Sequence, residues 1–421
     1  MGENAIYWLT LVIFVVTYTG IAIGRLPGLR TDRAGLALVG ATGMVVAGAL
    51  TFDEAVRAID FETIALLLGM MIVIAYLRRA GFFERLAVHT LDRVSTPHGL
   101  LAATIALSGL LSAVLVNDIV CLALTPLVVQ LARHLRFDPK PHLIGLALAS
   151  NIGSTATPTG NPQNVIIGHL SHIGYLRFAA KLAPIALVGL VIAYVLVALI
   201  FRSALRPDSG NTPKTDGAAD LPTPPGGHRH VRLLVKSGLV TVIAVGLFFA
   251  GLPMHLVALG AASFLLLDRV QPKKVYGQID WSLLLMFSGL FVVVQAFDKH
   301  VVEQWGLAEW GPLRAHPIDL LSVVSAVLSN VVSNVPAVLL FRSVVPGLPP
   351  EVQESAWLAL AMSSTLAGNL TVLGSVANLI VVENARREGI SISLMDYCRV
   401  GVPVTLVTLL VGVAWLRFVP Y

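Results

Sequence analysis

Apolar stretches long enough to enter a lipid bilayer recur along the whole chain, separated by short polar segments. A transmembrane helix needs about 20 predominantly apolar residues to cross the hydrocarbon core. The chain lacks the ten-residue alternation of apolar and polar positions typical of a membrane β-barrel, so we expect helices to span the bilayer. The apolar stretches are Ala5–Gly24, Ala34–Phe52, Thr63–Leu77, Ile119–Ala132, Leu143–Leu176, Leu182–Phe201, Ser237–Leu267, Trp281–Phe297, Leu320–Phe341, Ser355–Val382 and Val400–Leu416.

Four polar breaks predict segments that do not cross the membrane as single straight helices. Pro97–Leu135 and Ile318–Val345 are each interrupted by an asparagine-containing cluster, and we expect two re-entrant helical hairpins there. Leu143–His169 and Trp357–Val382 contain Thr/Gly/Asn clusters in mid-span, which predict two discontinuous helices. The fold class expected is an all-α polytopic membrane protein with about ten transmembrane helices.

The polar clusters recur in the same order in two halves of the chain, which indicates an internal duplication. We divide the chain into a first repeat at 1–203, a flexible linker at 204–231 and a second repeat at 232–421. Five crossings per half would invert the second repeat, an arrangement typical of secondary transporters. The matching residues are Gly40 with Gly260, Asp60 with Asp280, Ser112 and Asn117 with Ser329 and Asn334, and Thr157, Gly160 and Asn164 with Thr371, Gly374 and Asn378.

Charge is scarce and unevenly placed. Charged residues make up 13% of the chain and hydrophobic residues 56%, which excludes a soluble enzyme, a nucleic-acid-binding protein and a disordered scaffold. With the N-terminus placed outside, 22 of the 29 Lys and Arg residues fall on the inner face. The positive-inside rule therefore predicts a multi-pass inner-membrane protein with both termini in the periplasm and the linker in the cytoplasm. The net charge of +5 is then a sign of topology rather than of nucleic-acid binding.

Asp118 is the residue whose position is most costly, because it lies between two apolar stretches. A carboxylate at membrane depth costs a few kcal/mol on insertion scales and normally has a partner, an ion or a proton. We predict a coupling carboxylate at the hairpin tip; the alternative is a protonated or capping Asp that only ends one helix. The matching position in the second half is Val335, so we expect one titratable site rather than two.

The remaining candidate chemistry consists of amides, hydroxyls and free backbone groups. Unwound helices leave carbonyl and N–H groups free to bind a solute or an ion. The chain has no HExxH motif, P-loop or paired intramembrane aspartates, so we expect neither an enzyme nor an ATP-driven pump, and no cofactor or metal. The predicted solute- or ion-binding residues are Asn117, Ser150, Asn151, Thr155, Thr157, Gly160, Asn161, Asn164, Ser333, Asn334, Asn369, Thr371, Gly374, Ser375 and Asn378.

Taken together, these motifs resemble the ion transporter superfamily over nearly the whole chain apart from the linker. The resemblance rests on Phe82-Phe83-Glu84, Asn117-Asp118 with Thr125-Pro126, the run from Asn151 to Asn164, Asn334-Val-Pro336, and Gly374-Ser375 with Asn378. The superfamily includes ArsB-type arsenite and antimonite efflux permeases, NhaD-type Na⁺/H⁺ antiporters and dicarboxylate/Na⁺ symporters. The Asn-Asp tip is most similar to the ArsB-type permeases. The resemblance implies a solute site between the two hairpin tips and the two broken helices.

Our leading hypothesis from the sequence is proton-coupled efflux of arsenite or antimonite. Arsenous acid is largely uncharged at neutral pH, so a site of amides and hydroxyls with one carboxylate would suffice. Two alternatives stay open, namely Na⁺/H⁺ antiport and uptake of an oxyanion or a carboxylate. The expected partners are a small inorganic or organic solute, membrane lipid and a coupling ion, H⁺ or Na⁺. The sequence leaves open whether an ATPase subunit associates with the chain.

Overall fold

The described residues of the first half of the chain fold into ten α-helices. The computed structural model describes residues 3–23, 31–91, 93–206, 228–268 and 270–419, and within these ranges it contains no strand. The helices of the first half are α1 (Glu3–Ile23), α2 (Arg33–Val46), α3 (Phe52–Ala58), α4 (Phe61–Arg79), α5 (Phe82–Leu91), α6 (Pro97–Val114), α7 (Asn117–His134), α8 (Pro139–Ser154), α9 (Pro162–Ser171) and α10 (Tyr175–Ile200).

The second half repeats this order of helices. A π-helical turn, Asp298–Val302, and two short helices stand in the place of α5. The second-half helices are α11 (His228–Phe249), α12 (Met254–Leu266), α13 (Pro272–Tyr276), α14 (Trp281–Phe297), α15 (Glu303–Trp305), α16 (Gly311–Ala315), α17 (Pro317–Val332), α18 (Asn334–Leu339), α19 (Pro350–Ala367), α20 (Val376–Arg387) and α21 (Leu394–Phe418).

Several of these helices can cross a membrane. Among the described residues, seven are long and apolar enough by length and composition, and three shorter apolar helices, α2, α12 and α17, accompany them. The all-helical fold predicted from the apolar stretches is therefore confirmed. The opposed orientation of the two repeats stays a prediction. The centre of the predicted linker, 207–227, lies outside the described residues, and α11 already begins at His228, inside the linker range of 204–231.

The helices form two groups by their contacts. In the first, which we call the frame group (α1–α4 and α11–α14), α2 packs against α14 and α4 against α12. In the second, which we call the hairpin group (α6–α10 and α17–α21), α6 packs against α8, α17 against α19, α7 against α20, and α10 against α21. Each group thus takes equivalent helices from both halves of the chain.

Three ion pairs join the two halves within the hairpin group: Arg133 of α7 with Glu388 at the end of α20, and two that occupy corresponding positions in the repeats. Lys140, at the start of α8, binds Asp396 at the start of α21, with 3.0 Å between Nζ and Oδ2. Arg177, at the start of α10, binds Glu354 at the start of α19. The positions correspond between the repeats, but the acidic and basic partners are exchanged.

Candidate functional site

One asparagine clamps the break between α8 and α9. Asn164 Nδ2 donates to the carbonyl oxygens of Ser154 and Thr157, each at 3.1 Å, so the carbonyls released by the break keep partners. The Asn161 side chain caps α9 by accepting from the backbone N–H of Asn164 at 2.9 Å. Pro162 occupies the first helical position, where a missing N–H costs nothing.

The second break, between α19 and α20, uses the same device. Asn378 Nδ2 donates to the carbonyl oxygens of Gly368 at 2.7 Å and Thr371 at 3.0 Å. The Ser375 hydroxyl caps α20 by accepting from the backbone N–H of Ala377 at 3.2 Å. The clamping residue and both carbonyls match the first break position for position, which supports the duplication. This break forms although the sequence there contains no proline.

Glycine is required on the closely packed side of each break. A Cβ on Gly160 would lie 2.2 Å from the carbonyl oxygen of Ser154, and a Cβ on Gly374 would lie 2.8 Å from the carbonyl oxygen of Gly368. Side-chain carbon atoms do not approach backbone oxygens so closely. These two glycines therefore allow the chain to fold back against the end of the preceding helix, and that folding brings the caps of α9 and α20 to the centre of the hairpin group.

Asn151 joins the two breaks and the first hairpin tip through four hydrogen bonds. Its Oδ1 accepts from Asn117 Nδ2 at 3.1 Å and from the Ser375 hydroxyl at 2.9 Å. Its Nδ2 donates to Oδ1 of Asn369 at 2.9 Å and of Asn378 at 3.0 Å. An amide side chain has two donor hydrogens and two acceptor lone pairs, so this buried amide is fully paired.

Thr365 occupies the position in α19 that corresponds to Asn151 in α8. Its hydroxyl accepts from Asn161 Nδ2 at 3.2 Å and from Gln163 Nε2 at 3.1 Å, and it donates to Asn164 Oδ1 at 3.4 Å. Each repeat therefore hydrogen-bonds to the broken helix of the other: the first through the amide of Asn151, and the second through the hydroxyl of Thr365.

The first hairpin tip is anchored by its backbone and presents one carboxylate. The backbone N–H of Asn117 donates to the carbonyl oxygen of Gly160 at 3.0 Å, and the carbonyl oxygen of Asn117 accepts from the Ser150 hydroxyl at 3.3 Å. The next residue, Asp118, lies in the first turn of α7 and is partly exposed. Within the described part of the chain, no Lys, Arg or His nitrogen lies within 4 Å of its carboxylate.

The second hairpin tip turns sharply and contacts the first repeat. Ser333 connects α17 to α18 with φ +75°, a backbone region uncommon for residues other than glycine. With its amide oriented to match donors to acceptors, Asn334 donates to the carbonyl oxygens of Ser364 at 3.2 Å and Gly374 at 3.3 Å, and it accepts from Gln163 Nε2 at 3.2 Å. The second tip thus bonds to the broken helices of both repeats, whereas the hydrogen bonds of Asn117 at the first tip go to the broken helix of its own repeat.

A cavity of about 50 Å³ lies between the two tips. Its apolar wall comes from α1 and from α14, and a guanidinium from the start of α2 also lines it. Arg33 at the start of α2 and the first turn of α14 lie at helix ends that the charge distribution predicts to face the cytoplasm. We therefore expect this cavity to open toward the cytoplasm. Its polar lining residues are Arg33, Asn117, Asp118, Gln163, Ser333, Asn334 and Ser375.

The predicted binding residues therefore divide into three sets. Those that line the cavity are Asn117, Asp118, Ser333, Asn334 and Ser375. Those that take part in the buried hydrogen-bond network beside it are Ser150, Asn151, Asn369 and Asn378. Those that build the two breaks are Thr155, Thr157, Gly160, Asn161, Asn164, Thr371 and Gly374.

Two polar residues of this cavity, Arg33 and Gln163, are not among the binding residues predicted from the sequence. Arg33 directly precedes an apolar stretch in a basic segment, so the charge distribution alone indicates a position in a loop between spans. Gln163 stands within the polar run of the first break, and its place between two asparagines was the available signal. Gln163 Nε2 lies within hydrogen-bond distance of Thr365 and Asn334, so it links the first broken helix to the second repeat.

A second cavity of about 320 Å³ lies at the predicted outer ends of the helices. Thr63 and Leu66 of α4 line it, and these residues correspond to Leu283 and Met286 of α14 in the first cavity. The two cavities are thus related by the internal repeat, but the hairpin tips line only the first of these two. In this structure the tips therefore face the first cavity and not the second.

The family of the chain is decided by its match to a family model described as "Citrate transporter", which covers residues 12–367. The chain belongs to the citrate transporter family. The resemblance to the ion transporter superfamily is thereby confirmed. The chain is therefore a multi-pass membrane transporter of a small solute.

Relatives of this citrate transporter family member carry different names. It is 31% identical to the silicon efflux transporter LSI3 of Oryza sativa subsp. japonica, over 98% of this chain and 96% of that one. It is 30% identical to the 46 kDa membrane protein of Mycobacterium leprae, over 97% and 98% of the two chains. It is 27% identical to the putative transporter arsB of Dictyostelium discoideum, over 97% and 91%.

A solved structure shares the fold. The YdaH transporter of Alcanivorax borkumensis matches with a TM-score of 0.55 and 15% identity, over 98% of this chain and 97% of that one. At this identity the likeness concerns the fold alone.

Proposed function

We propose that this chain exports a small, uncharged, polyhydroxylated solute in exchange for protons, with arsenous acid, antimonous acid and silicic acid as the candidate class. The observation that carries the proposal is the first cavity, where one carboxylate, Asp118, lies among amides and hydroxyls at the two hairpin tips. The two relatives named for silicon efflux and for arsB support the same class.

The size of the cavity favours a compact solute. A water molecule needs about 10–15 Å³ of such space, so about 50 Å³ accommodates a solute of only a few heavy atoms. Citrate is larger and carries several negative charges at neutral pH. The cavity is lined by one positive group, the Arg33 guanidinium, and by one negative group, the Asp118 carboxylate. Its lining therefore carries no net positive charge to bind citrate, and the citrate of the family's name fits this site poorly.

Exchange follows from the chemistry of Asp118. When ionised, its carboxylate accepts hydrogen bonds from solute hydroxyls, while the amides of Asn117, Asn334 and Gln163 can both donate and accept. When protonated, Asp118 loses its charge and part of its accepting capacity. Solute and proton therefore compete for one group, which is the requirement for antiport.

Movement of the hairpin group relative to the frame group would carry this site from one membrane face to the other. The clamped breaks and the Lys140–Asp396 and Arg177–Glu354 ion pairs hold the hairpin group together. The first cavity lies between the hairpin tips and frame helices α1, α2 and α14. The cavity boundary would therefore change while the tip geometry is retained.

The test is a transport assay with purified chain in proteoliposomes and an imposed pH gradient. We expect arsenite, antimonite or germanic acid (a traceable analogue of silicic acid) to accumulate against its gradient, measured by elemental mass spectrometry. Asp118→Asn should reduce gradient-driven accumulation at least tenfold, whereas Asp118→Glu should retain part of it. Asp319→Asn, which removes a carboxylate bound to Arg417 away from the cavity, should leave transport unchanged.

Two outcomes would redirect the assignment. Accumulation of citrate driven by Na⁺ would favour carboxylate uptake, and Na⁺-driven proton movement without any solute would favour Na⁺/H⁺ antiport. Equal proton-driven accumulation by wild type and Asp118→Asn would show that Asp118 is not the coupling group.

A further inference from the structure

Two histidines from the two helix groups meet at one carboxylate in the second cavity. His169 Nδ1 lies 3.2 Å from Glu62 Oε2, and His255 Nδ1 lies 3.0 Å from the same oxygen. The other nitrogen of His169 lies 3.6 Å from Asp60 Oδ1. All three members of this cluster, Glu62, His169 and His255, line the cavity of about 320 Å³, so protons from the aqueous phase can reach them.

The cluster joins helices that belong to different groups. His169 is in the last turn of α9, in the hairpin group, while Glu62 opens α4 and His255 opens α12, both in the frame group. By contrast, the Lys140–Asp396 pair lies within the hairpin group and the Lys236–Asp268 pair within the frame group. Movement of one group against the other would therefore separate His169 from Glu62.

Protonation changes the strength of this contact. Imidazole is the side chain whose charge changes between about pH 5 and 8, and an imidazolium binds a carboxylate more strongly than a neutral ring does. The other polar or titratable groups that face the cluster are Asp60 and Thr63 of α4, His172 of the α9–α10 turn and Tyr175 of α10.

We propose that Glu62, His169 and His255 form a proton-binding site that locks the hairpin group against the frame group. Acidification of the second cavity holds the tips in the orientation seen here, and deprotonation releases them. The site is distinct from Asp118, because it lines the other cavity and bridges the two groups. The lock rests on the relative movement of the groups contained in the proposed function, but it does not depend on which solute is carried.

The test measures the distance between the groups without any solute. Spin labels at Leu176→Cys of α10 and Leu252→Cys before α12, two exposed positions, report on the hairpin and frame groups. Cys398→Ser removes the accessible native thiol, while Cys121 is buried. Double electron–electron resonance at pH 5.5 and pH 8.0 in lipid nanodiscs should show one short distance in acid and a second, longer population in base.

We expect the ratio of the two populations to change about fivefold between the two pH values, the effect of a partly exposed ion pair of about 1 kcal/mol. In His169→Gln with His255→Gln the ratio should no longer respond to pH, and each single variant should respond less than wild type. His172→Asn is the matched control, because His172 lines the same cavity but takes part in no ion pair among the described residues, and its φ of +53° suits asparagine. It should respond as wild type does.

A wild-type ratio that is the same at both pH values overturns the lock, and so does a pH response that persists in the double variant. If the distances respond as expected but no metalloid hydroxide is transported, the lock stands and the proposed solute is wrong. Transport that is driven by protons without any pH-dependent change in distance supports the proposed function and overturns the lock.

Discussion

Replacement of Asn151 by leucine removes the fully paired amide at the centre of the hairpin group while keeping a similar volume. Four partners lose a hydrogen bond, namely Asn117, Ser375, Asn369 and Asn378. An unpaired buried polar group costs about 1–3 kcal/mol. With relaxation of the neighbours taken into account, we expect a loss of roughly 4–8 kcal/mol in the free energy of unfolding.

Thr365→Val changes the corresponding position of the second repeat and provides the comparison. Its loss should be smaller, because Asn161 Nδ2 keeps the Ser154 hydroxyl at 2.9 Å. Gln163 Nε2 likewise keeps Asn334. The side-chain Oδ1 of Asn164 loses only a 3.4 Å hydrogen bond, so we expect the free energy of unfolding to fall by about 1–2 kcal/mol.

The assay is the apparent Tm of the detergent-purified chain, followed as loss of the monodisperse peak in size-exclusion chromatography after heating. At about 1–2 °C per kcal/mol for a chain of this size, Asn151→Leu should lower the apparent Tm by about 4–16 °C and Thr365→Val by about 1–4 °C. If Thr365→Val destabilised the chain as much as Asn151→Leu, the number of polar groups left without a hydrogen bond would not determine the loss of stability at this site.

Two further predictions concern packing and charge. Gly153→Ala should abolish folding or lower the free energy of unfolding by more than about 3 kcal/mol, because its Cβ would lie 2.1 Å from the carbonyl oxygen of Gly109. The control is Gly246→Ala, which has open space around it and should leave the apparent Tm unchanged or slightly raised. Equal changes in apparent Tm for the two variants would contradict this prediction. Glu354→Arg should lower the apparent Tm by like-charge repulsion with Arg177, and the added change Arg177→Glu should recover most of the loss. A double-mutant cycle with no coupling energy would show that this ion pair contributes nothing to stability.

The sequence predicted the helical architecture and the four breaks because both follow from local chemistry. Asn161 and Pro162 are a cap and a first-turn proline, and these residue types indicate a helix start wherever they stand. The matching of Asn164 with Asn378 was also predicted, because the clamp reaches carbonyls only a few residues away. Such short-range requirements leave a residue pattern that can be found without a structure.

The division of labour among the polar residues could not be predicted in the same way. Asn117 and Asn164 are both asparagines in polar runs, yet one lines the cavity and the other holds a break. The role of each amide depends on the helix that packs against it. Asn151, for example, bonds to Asn369, which lies more than 200 residues further along the chain. Arg33 was missed for the same reason, since its neighbours in the cavity come from distant helices.

The exchanged polarity of the two ion pairs has a consequence for how the repeats recognise each other. Two copies of the first repeat arranged like the present halves would set Lys140 against Arg177, and two copies of the second would set Glu354 against Asp396. Like charges would then face each other at both ends, so neither repeat can pair favourably with its own copy. The exchanged charges therefore favour pairing of the first repeat with the second over pairing of either repeat with its own copy.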